Sequence, residues 1–176
     1  LKQKLQQFKG GNFVMNLPPP PHRCPPSPYG RACTIAWYMK TNRIPGKLIV
    51  LDPTPRINPI HGGFNYAFKE LYGDIIEYVP DAEVRSVDPF KQQISTTAGD
   101  FDFEDAVLMP PHQAADIVWQ AGLIREDPPT GPAWWGHQHP TLLHAVDDDR
   151  VYLIGDCMGL VSPDFGYYPK SAHVAN

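Results

Sequence analysis

The stretch GNFVMNLPPPPHRCPPSPYGRA, residues 11–32, decides the fold of the first half of the chain. Its first eight residues are typical of a short buried strand that runs out into a proline-rich loop. A helix is expected next, because Ser27 can act as its N-cap and Pro28 occupies the first helical position, where a missing N–H costs nothing. Apolar residues then recur at helical spacing on one face: Ala32, Ile35, Ala36 and Met39.

The alternation of strand and helix continues to about residue 80. KLIVLD, residues 47–52, is an apolar run that ends in an acid, which is typical of a buried parallel strand. A second helix follows, with Gly73 placed to end it. Its apolar face is predicted to comprise Phe64, Ala67, Phe68 and Leu71. Since IIEYV, residues 75–79, is a third strand, the order predicts an α/β fold with a Rossmann-like parallel sheet and right-handed crossover helices.

After Asp81 the pattern changes to short alternating segments separated by turns. Three of them predict an antiparallel β-meander: EVRSV (83–87), QQIST (92–96) and DFDFED (100–105). AVLMPP, residues 106–111, is again typical of a buried strand. A helix is expected over residues 113–121, and RVYLIGD, residues 150–156, is expected to be a last strand that leads into a Gly-Asp turn.

Composition and charge exclude several classes of protein. The 176 residues are 42% hydrophobic and 19% charged, which indicates a globular chain, and the net charge of −4 gives no reason to expect nucleic acid as a partner. No apolar run approaches the roughly 20 residues of a membrane helix. Three cysteines argue against a disulfide scaffold and a four-thiolate zinc site. Because the chain opens at Leu1 without a methionine, we expect a fragment of a longer protein.

The proline-rich loop argues against binding of a dinucleotide at the first crossover. A strand, a loop, a helix and a strand ending in Asp52 form the outline of a nucleotide-binding unit, but the loop has no G-x-G-x-x-G. Pro25, Pro26 and Pro28 instead remove N–H groups that would bind a pyrophosphate. We therefore predict that Asp52 ends its strand without touching a nucleotide and that NAD(P) does not bind at this turn.

Cys24 lies in this loop, just before the predicted helix and next to His22 and Arg23. The positive helix end and the neighbouring cation favour the thiolate, which is the nucleophilic form. A small residue at a loop corner is the alternative interpretation, and these observations leave both open. Cys33 lies inside the helix beside its apolar face and is expected to be a packing residue.

Four motifs occur here in the order in which they occur in one known family: RCPPSPYGRA (23–32), LMPPHQAADIVWQAGL (108–123), VYLIGDCMG (151–159) and YYPKSAHVAN (167–176). From about Gly10 to its end, the sequence resembles the flavoprotein subunit of flavocytochrome c sulfide dehydrogenase, a relative of the sulfide:quinone oxidoreductases. The resemblance implies an FAD-dependent oxidoreductase with two dinucleotide-binding domains. Residues 10–110 would be an NAD(P)-binding-like Rossmann domain without the nucleotide motif. Residues 111–176 would be the returning, incomplete part of the FAD-binding domain.

The resemblance also implies which residues contact the flavin: Pro110, Pro111, Gly155, Asp156, Tyr168, Pro169 and Lys170. The Asp156 carboxylate would meet the ribityl and phosphate portion of FAD, since a carboxylate accepts hydrogen bonds from hydroxyl groups. Lys170 would stabilise negative charge on the reduced flavin. The two prolines would shape one wall beside the ring. FAD belongs to the full-length protein, and the fragment alone is not expected to retain it.

The family oxidises sulfide through a pair of cysteines beside the flavin, and Cys24 matches the first of the pair. The second is expected in a Trp-Cys-Pro stretch, where this chain has Trp134, Trp135 and Gly136. Three alternatives remain: Cys24 carries the sulfur alone as the catalytic thiol, a different sulfur compound is oxidised, or the reaction is lost and the flavin kept. A quinone-reducing relative and a non-catalytic docking domain that presents the two tryptophans are the rival functions.

The resemblance further implies a c-type cytochrome subunit and a small sulfur substrate as partners, and a periplasmic location. The replacement stretch also contains His137 and His139, with His144 and Asp147 nearby. His-x-His on a strand directs both rings to one face, but no third ligand has convincing spacing, so no metal site is predicted.

Overall fold

The structure is a computed structural model that describes residues 1–20, 23–124 and 134–159. Contacts divide the chain into two compact units. Unit 1 comprises residues 1–19 and 25–110, and unit 2 comprises residues 20–24 and 111–176.

The elements of unit 1, in chain order, are α1 (Lys2–Gln7), β1 (Gly11–Asn16), α2 (Ser27–Thr41), β2 (Gly46–Leu51), α3 (His61–Tyr66), a π-helical turn (Ala67–Leu71), β3 (Ile76–Val79), β4 (Val84–Asp88), β5 (Gln93–Thr96), β6 (Gly99–Asp102) and β7 (Asp105–Val107). Four strands form a parallel sheet in the order β3-β2-β1-β7. Strands β4, β5 and β6 form an antiparallel sheet. The predicted parallel sheet and β-meander are therefore both confirmed, whereas α1 was not predicted.

The two faces of the parallel sheet are covered by different layers. Alternate residues of β1 and β2, such as Phe13 and Leu48, pack with the buried face of α2. The residues between them, such as Val14 and Ile49, pack with Ile94 of the meander. Both faces are thus apolar, which explains why these strands are continuous hydrophobic runs in the sequence.

Helix α2 buries the face that its spacing predicts: Ala32, Ile35, Ala36 and Met39. Its start differs from the prediction by one residue. The N-cap is Pro26, which has helical dihedral angles (φ −77°, ψ −18°), and Ser27 is the first helical residue without a side-chain cap. The reason is that Gly30 N–H already donates to Pro26 O at 3.0 Å, so the proline itself closes the first turn.

The second predicted helix buries Phe68 and half-buries Phe64, but Leu71 is 44% exposed and its assignment to the apolar face was wrong. Tyr72 N–H donates to Ala67 O, five residues back, so the last turn is a π-turn. The wider turn rotates Leu71 outward, and Tyr72 packs on the core in its place. Gly73 follows directly, where a Cβ would lie 2.3 Å from Lys69 O.

Unit 2 contains α4 (Asp116–Gln120), β8 (His144–Ala145), β9 (Asp148–Tyr152) and a 3₁₀ turn (Gly155–Cys157). Helix α4 is shorter than the predicted range of 113–121, and the last strand ends before Leu153. The buried core of unit 2 comprises Ala114, Val118, Trp135, Ala145 and Leu153.

None of the helices in the described part of the chain has the length and apolar character needed to cross a membrane.

Candidate functional site

The acid that ends β2 is fully buried and is bound by the protein's own donors. Asp52 Oδ2 accepts hydrogen bonds from Tyr29 Oη at 2.6 Å and Tyr78 Oη at 2.7 Å. Asp52 Oδ1 accepts from the backbone N–H of Thr54 at 2.8 Å and from its hydroxyl at 2.6 Å. Asp52 is 0% exposed. The carboxylate therefore ends the strand, as predicted, and all four of these bonds come from within unit 1.

The tyrosines of this network are protonated donors. Burial, followed by the hydrogen bond to Asp52, raises the pKa of Tyr29 far above its ordinary value, and the same two causes raise the pKa of Tyr78. Each phenol loses its proton less readily next to a carboxylate, since ionisation would place two negative charges together. The sequence pattern predicts the place of Asp52 after its strand but gives no sign of either tyrosine as its partner.

Cys24 is an exposed, free thiol. The residue before it, Arg23, contacts other residues of unit 2 in three ways. Arg23 N–H donates to His112 Nδ1 at 3.1 Å, its Nη2 donates to Gln113 O, and its guanidinium carbon lies 6.0 Å from the centroid of the Trp135 ring. The last contact is of the cation–π type. The structure thus presents the thiol from a short segment that Arg23 anchors, and His22 lies outside the described residues.

The two tryptophans that stand where a second cysteine was expected have different environments. Trp135 is 4% exposed and belongs to the core of unit 2, whereas Trp134 is 40% exposed. The docking alternative expected both tryptophans at the surface, but the Trp135 ring packs with Val118 and Leu153 instead. Only Trp134 of this pair is available at the surface.

The other two cysteines are packing residues in their own units. Cys33 is half-buried against the core of unit 1, and burial raises the pKa of its thiol, which confirms the prediction. Cys157 packs against the core of unit 2, and its Sγ donates to Ile154 O at 3.0 Å. All three cysteines lie in the described residues, and all are free. Cys24 is the only exposed thiol of the three.

The residues predicted to hold FAD are described in part. Gly155, the first residue of the 3₁₀ turn, has φ +66°, a left-handed conformation that favours glycine, and Asp156 is exposed in the same turn. Pro110 and Pro111 are both exposed. An exposed carboxylate next to a glycine turn has the chemistry that ribityl hydroxyls require, so these residues fit the group. Three further predicted contacts lie outside the described residues: Tyr168, Pro169 and Lys170.

Asn16, a buried amide at the end of β1, was not predicted as a functional residue. Its side chain bonds both the N–H and the carbonyl of Met109, the residue before Pro110. The signal was present, since a polar residue at the carboxyl end of an apolar strand needs a hydrogen-bond partner when it is buried. The partner lies 93 residues away in the chain, so the sequence did not identify it.

The histidines near the tryptophans form a ring contact. The His139 and His144 ring centroids are 5.2 Å apart, and His139 Nδ1 accepts from the backbone N–H of Leu142 at 3.2 Å. Within residues 1–20, 23–124 and 134–159, no group of three or more His, Cys, Asp or Glu side chains is arranged to hold a metal ion.

Several solved structures share the fold of this chain. The structure is similar to a pyridine nucleotide-disulfide family oxidoreductase from Enterococcus faecalis (TM-score 0.60, 9% identity), covering 97% of this chain and 37% of that one. It is also similar to the water-forming NADH oxidase of Lactobacillus brevis (0.57, 11%; 99% and 36%). A chain of the mitochondrial ATP synthase of Tetrahymena thermophila matches as well (0.61, 13%; 90% and 40%). At these identities the likeness establishes the fold alone.

The family match is more specific than the likeness of the fold. Residues 1–110 match the family described as sulfide dehydrogenase (flavocytochrome c) flavoprotein chain, central. The chain therefore belongs to this flavoprotein family, as its motifs predicted, and it is part of a flavoprotein oxidoreductase whose family implies FAD. It spans no more than 40% of the length of the three solved structures named above.

Proposed function

We propose that the full-length protein oxidises sulfide or a related sulfur compound, with Cys24 as the catalytic thiol and a c-type cytochrome subunit as the electron acceptor. The observation that carries this proposal is the environment of Cys24. The thiol is exposed and free, and it belongs to the same unit as the predicted flavin-binding residue Asp156. The family match supports the flavoprotein part of the proposal.

The proposed chemistry needs one thiol. Cys24 is the sulfur carrier, because Cys33 and Cys157 are both packed and the position of a second thiol holds the core residue Trp135. Formation of a sulfur–sulfur bond between the Cys24 thiolate and hydrosulfide releases two electrons and one proton, for which bound FAD supplies the acceptor. The product is a persulfide on Cys24. Arg23 holds the thiol segment while this bond forms.

The contacts that we propose for FAD come from the family resemblance. Gly155 and Asp156 would bind its ribityl and phosphate portion, and Pro110 and Pro111 would form a wall beside the ring. By resemblance, Tyr168, Pro169 and Lys170 would approach its pyrimidine side. A lysine there would stabilise negative charge on the reduced cofactor. We further propose a periplasmic location, which the resemblance alone supports.

We propose that the Rossmann-like domain has no pyridine nucleotide as ligand. Three prolines replace N–H donors at the first crossover, and the carboxylate of Asp52 is fully buried under Tyr29, Tyr78 and Thr54. In a dinucleotide-binding domain, an acid at this position meets a ribose hydroxyl. Here it joins the helix α2 to the strands β2 and β3, so its role is to stabilise the domain.

The test uses the full-length protein under anaerobic conditions. Its visible spectrum should show flavin bands, which sulfide should bleach in the wild type and in Cys157→Ser, the matched control. Cys24→Ser should bleach at least about 100-fold more slowly, since the nucleophile is removed. Equal bleaching in Cys24→Ser and the wild type would overturn the role of Cys24. A spectrum without flavin bands would overturn the oxidoreductase as a whole. Reduction of a quinone in place of a c-type cytochrome would indicate the quinone-reducing alternative.

A further inference from the structure

The segment Met109–Pro110–Pro111 has only one backbone N–H group, that of Met109, with which it can donate a hydrogen bond. Proline has no backbone N–H, so neither Pro110 nor Pro111 can be fixed by donating a backbone hydrogen bond. The position of the two rings then depends on the residue before them. That residue is Met109, which lies two positions past Val107, the last residue of β7.

Asn16 holds Met109 on both sides of its backbone. Met109 N–H donates to Asn16 Oδ1 at 2.6 Å, and Asn16 Nδ2 donates to Met109 O at 3.0 Å. Asn16 is 7% exposed and ends β1, whose residue Met15 is in register with Val107. The side-chain amide of Asn16 therefore extends the pairing of β1 with β7. It bonds Met109, two residues beyond Val107, with the hydrogen bonds of a strand ladder.

Helix α2 adds a third contact to the same residue. Arg31 Nη1 lies 3.1 Å from Met109 Sδ, a weak acceptor. Met109 is thus contacted at its nitrogen, its carbonyl oxygen and its sulfur. All of these contacts lie within unit 1.

We propose that Asn16 is a positioning residue for the wall that Pro110 and Pro111 form beside the flavin. The inference rests on the proposed function, because it takes these prolines as part of the flavin site. Loss of the amide would leave the partly buried N–H and carbonyl of Met109 without their partners, and the proline rings would no longer be fixed.

The first experiment measures hydrogen exchange in the full-length protein. In Asn16→Leu the segment 106–111, whose last exchanging amide is Met109, should exchange about fivefold faster, as expected for the loss of one hydrogen bond. Asn12→Leu is the matched control, because Asn12 lies on the same strand and its Nδ2 donates to Asp102 O at 3.2 Å, away from Met109. Unchanged exchange in folded Asn16→Leu would overturn the proposed anchoring.

The second experiment separates positioning from stability. The visible flavin bands and the midpoint potential should shift in Asn16→Leu, shift less in Asn16→Asp, which keeps the acceptor for Met109 N–H, and stay unchanged in Asn12→Leu. If Asn16→Leu does not fold, Asn16→Asp decides the question. Faster exchange with an unchanged spectrum and potential would make Asn16 purely structural and overturn the proposal. Absence of flavin bands in the wild type would contradict the proposed function instead.

Discussion

Tyr29 on helix α2 donates its phenolic hydrogen to the carboxylate of Asp52 at the end of β2, with an Oη–Oδ2 distance of 2.6 Å. Tyr78 on β3 donates to the same oxygen at 2.7 Å. One buried acid thus joins a crossover helix to two parallel strands. In a dinucleotide-binding domain this position faces the ligand, whereas here it contributes to the stability of the fold.

Removal of either phenol should destabilise the protein. Tyr29→Phe leaves the buried carboxylate with one donor fewer, and we expect a loss of about 2 kcal/mol in the free energy of unfolding. The measurement is urea denaturation followed by far-UV circular dichroism. Tyr38→Phe, on the same helix, is the control and should change stability by less than about 0.5 kcal/mol. An equal effect of the two substitutions would contradict the importance of the network.

The network also predicts how stability depends on pH. The pKa values of Tyr29 and Tyr78 are raised in the folded state, so the folded protein keeps these protons where the unfolded chain loses them. Their contribution is full below about pH 10, the pKa of an unperturbed tyrosine, and is lost as the pH rises above it. The urea midpoint should fall more steeply above pH 10 in the wild type than in Tyr29→Phe/Tyr78→Phe. Parallel pH curves would argue against this linkage.

The two adjacent tryptophans should respond differently to truncation. Trp135→Ala removes a buried ring from the core of unit 2 and should cost about 3–5 kcal/mol. Trp134→Ala, at an exposed position, should cost less than about 1 kcal/mol. Thermal or urea unfolding compares them directly. A large loss for Trp134 with none for Trp135 would show that the burial of the pair is assigned the wrong way round.

The three thiols should react in a fixed order. Cys24 is exposed, whereas Cys33 is half-buried with a raised pKa, so Cys24 should be alkylated by iodoacetamide at least about tenfold faster than Cys33. Peptide mass spectrometry after short exposure at pH 8 gives the rates. Preferential modification of Cys33 would be inconsistent with the environments described above.

Local pattern was sufficient to predict most of the fold, because apolar runs and helical spacing report directly on burial. Both sheets and the buried face of α2 followed from such patterns. The π-turn did not, since Leu71 has the same spacing whether the last turn is α-helical or wider. The start of α2 shifted by one residue because Pro26 closes the first turn through its own carbonyl.

The site was less predictable, because its contacts join distant parts of the chain. Asp52 was identified from its place after a strand, but its two phenolic donors are 23 and 26 residues away. The anchoring of Cys24 through Arg23 depends on Trp135, and that of Met109 depends on Asn16. The motif resemblance supplied the family and the candidate thiol. Spacing alone contained no information on these long-range contacts.

The most direct test of the account is mass spectrometry of the full-length protein after a single anaerobic turnover with sulfide. We expect the peptide that contains Cys24 to gain the mass of one sulfur atom, with no such gain on Cys33 or Cys157. The modification should disappear on reduction, as expected for a persulfide. A reduced flavin with no added sulfur on Cys24, or with the sulfur on another cysteine, would contradict the assignment of Cys24 as the thiol that carries the substrate.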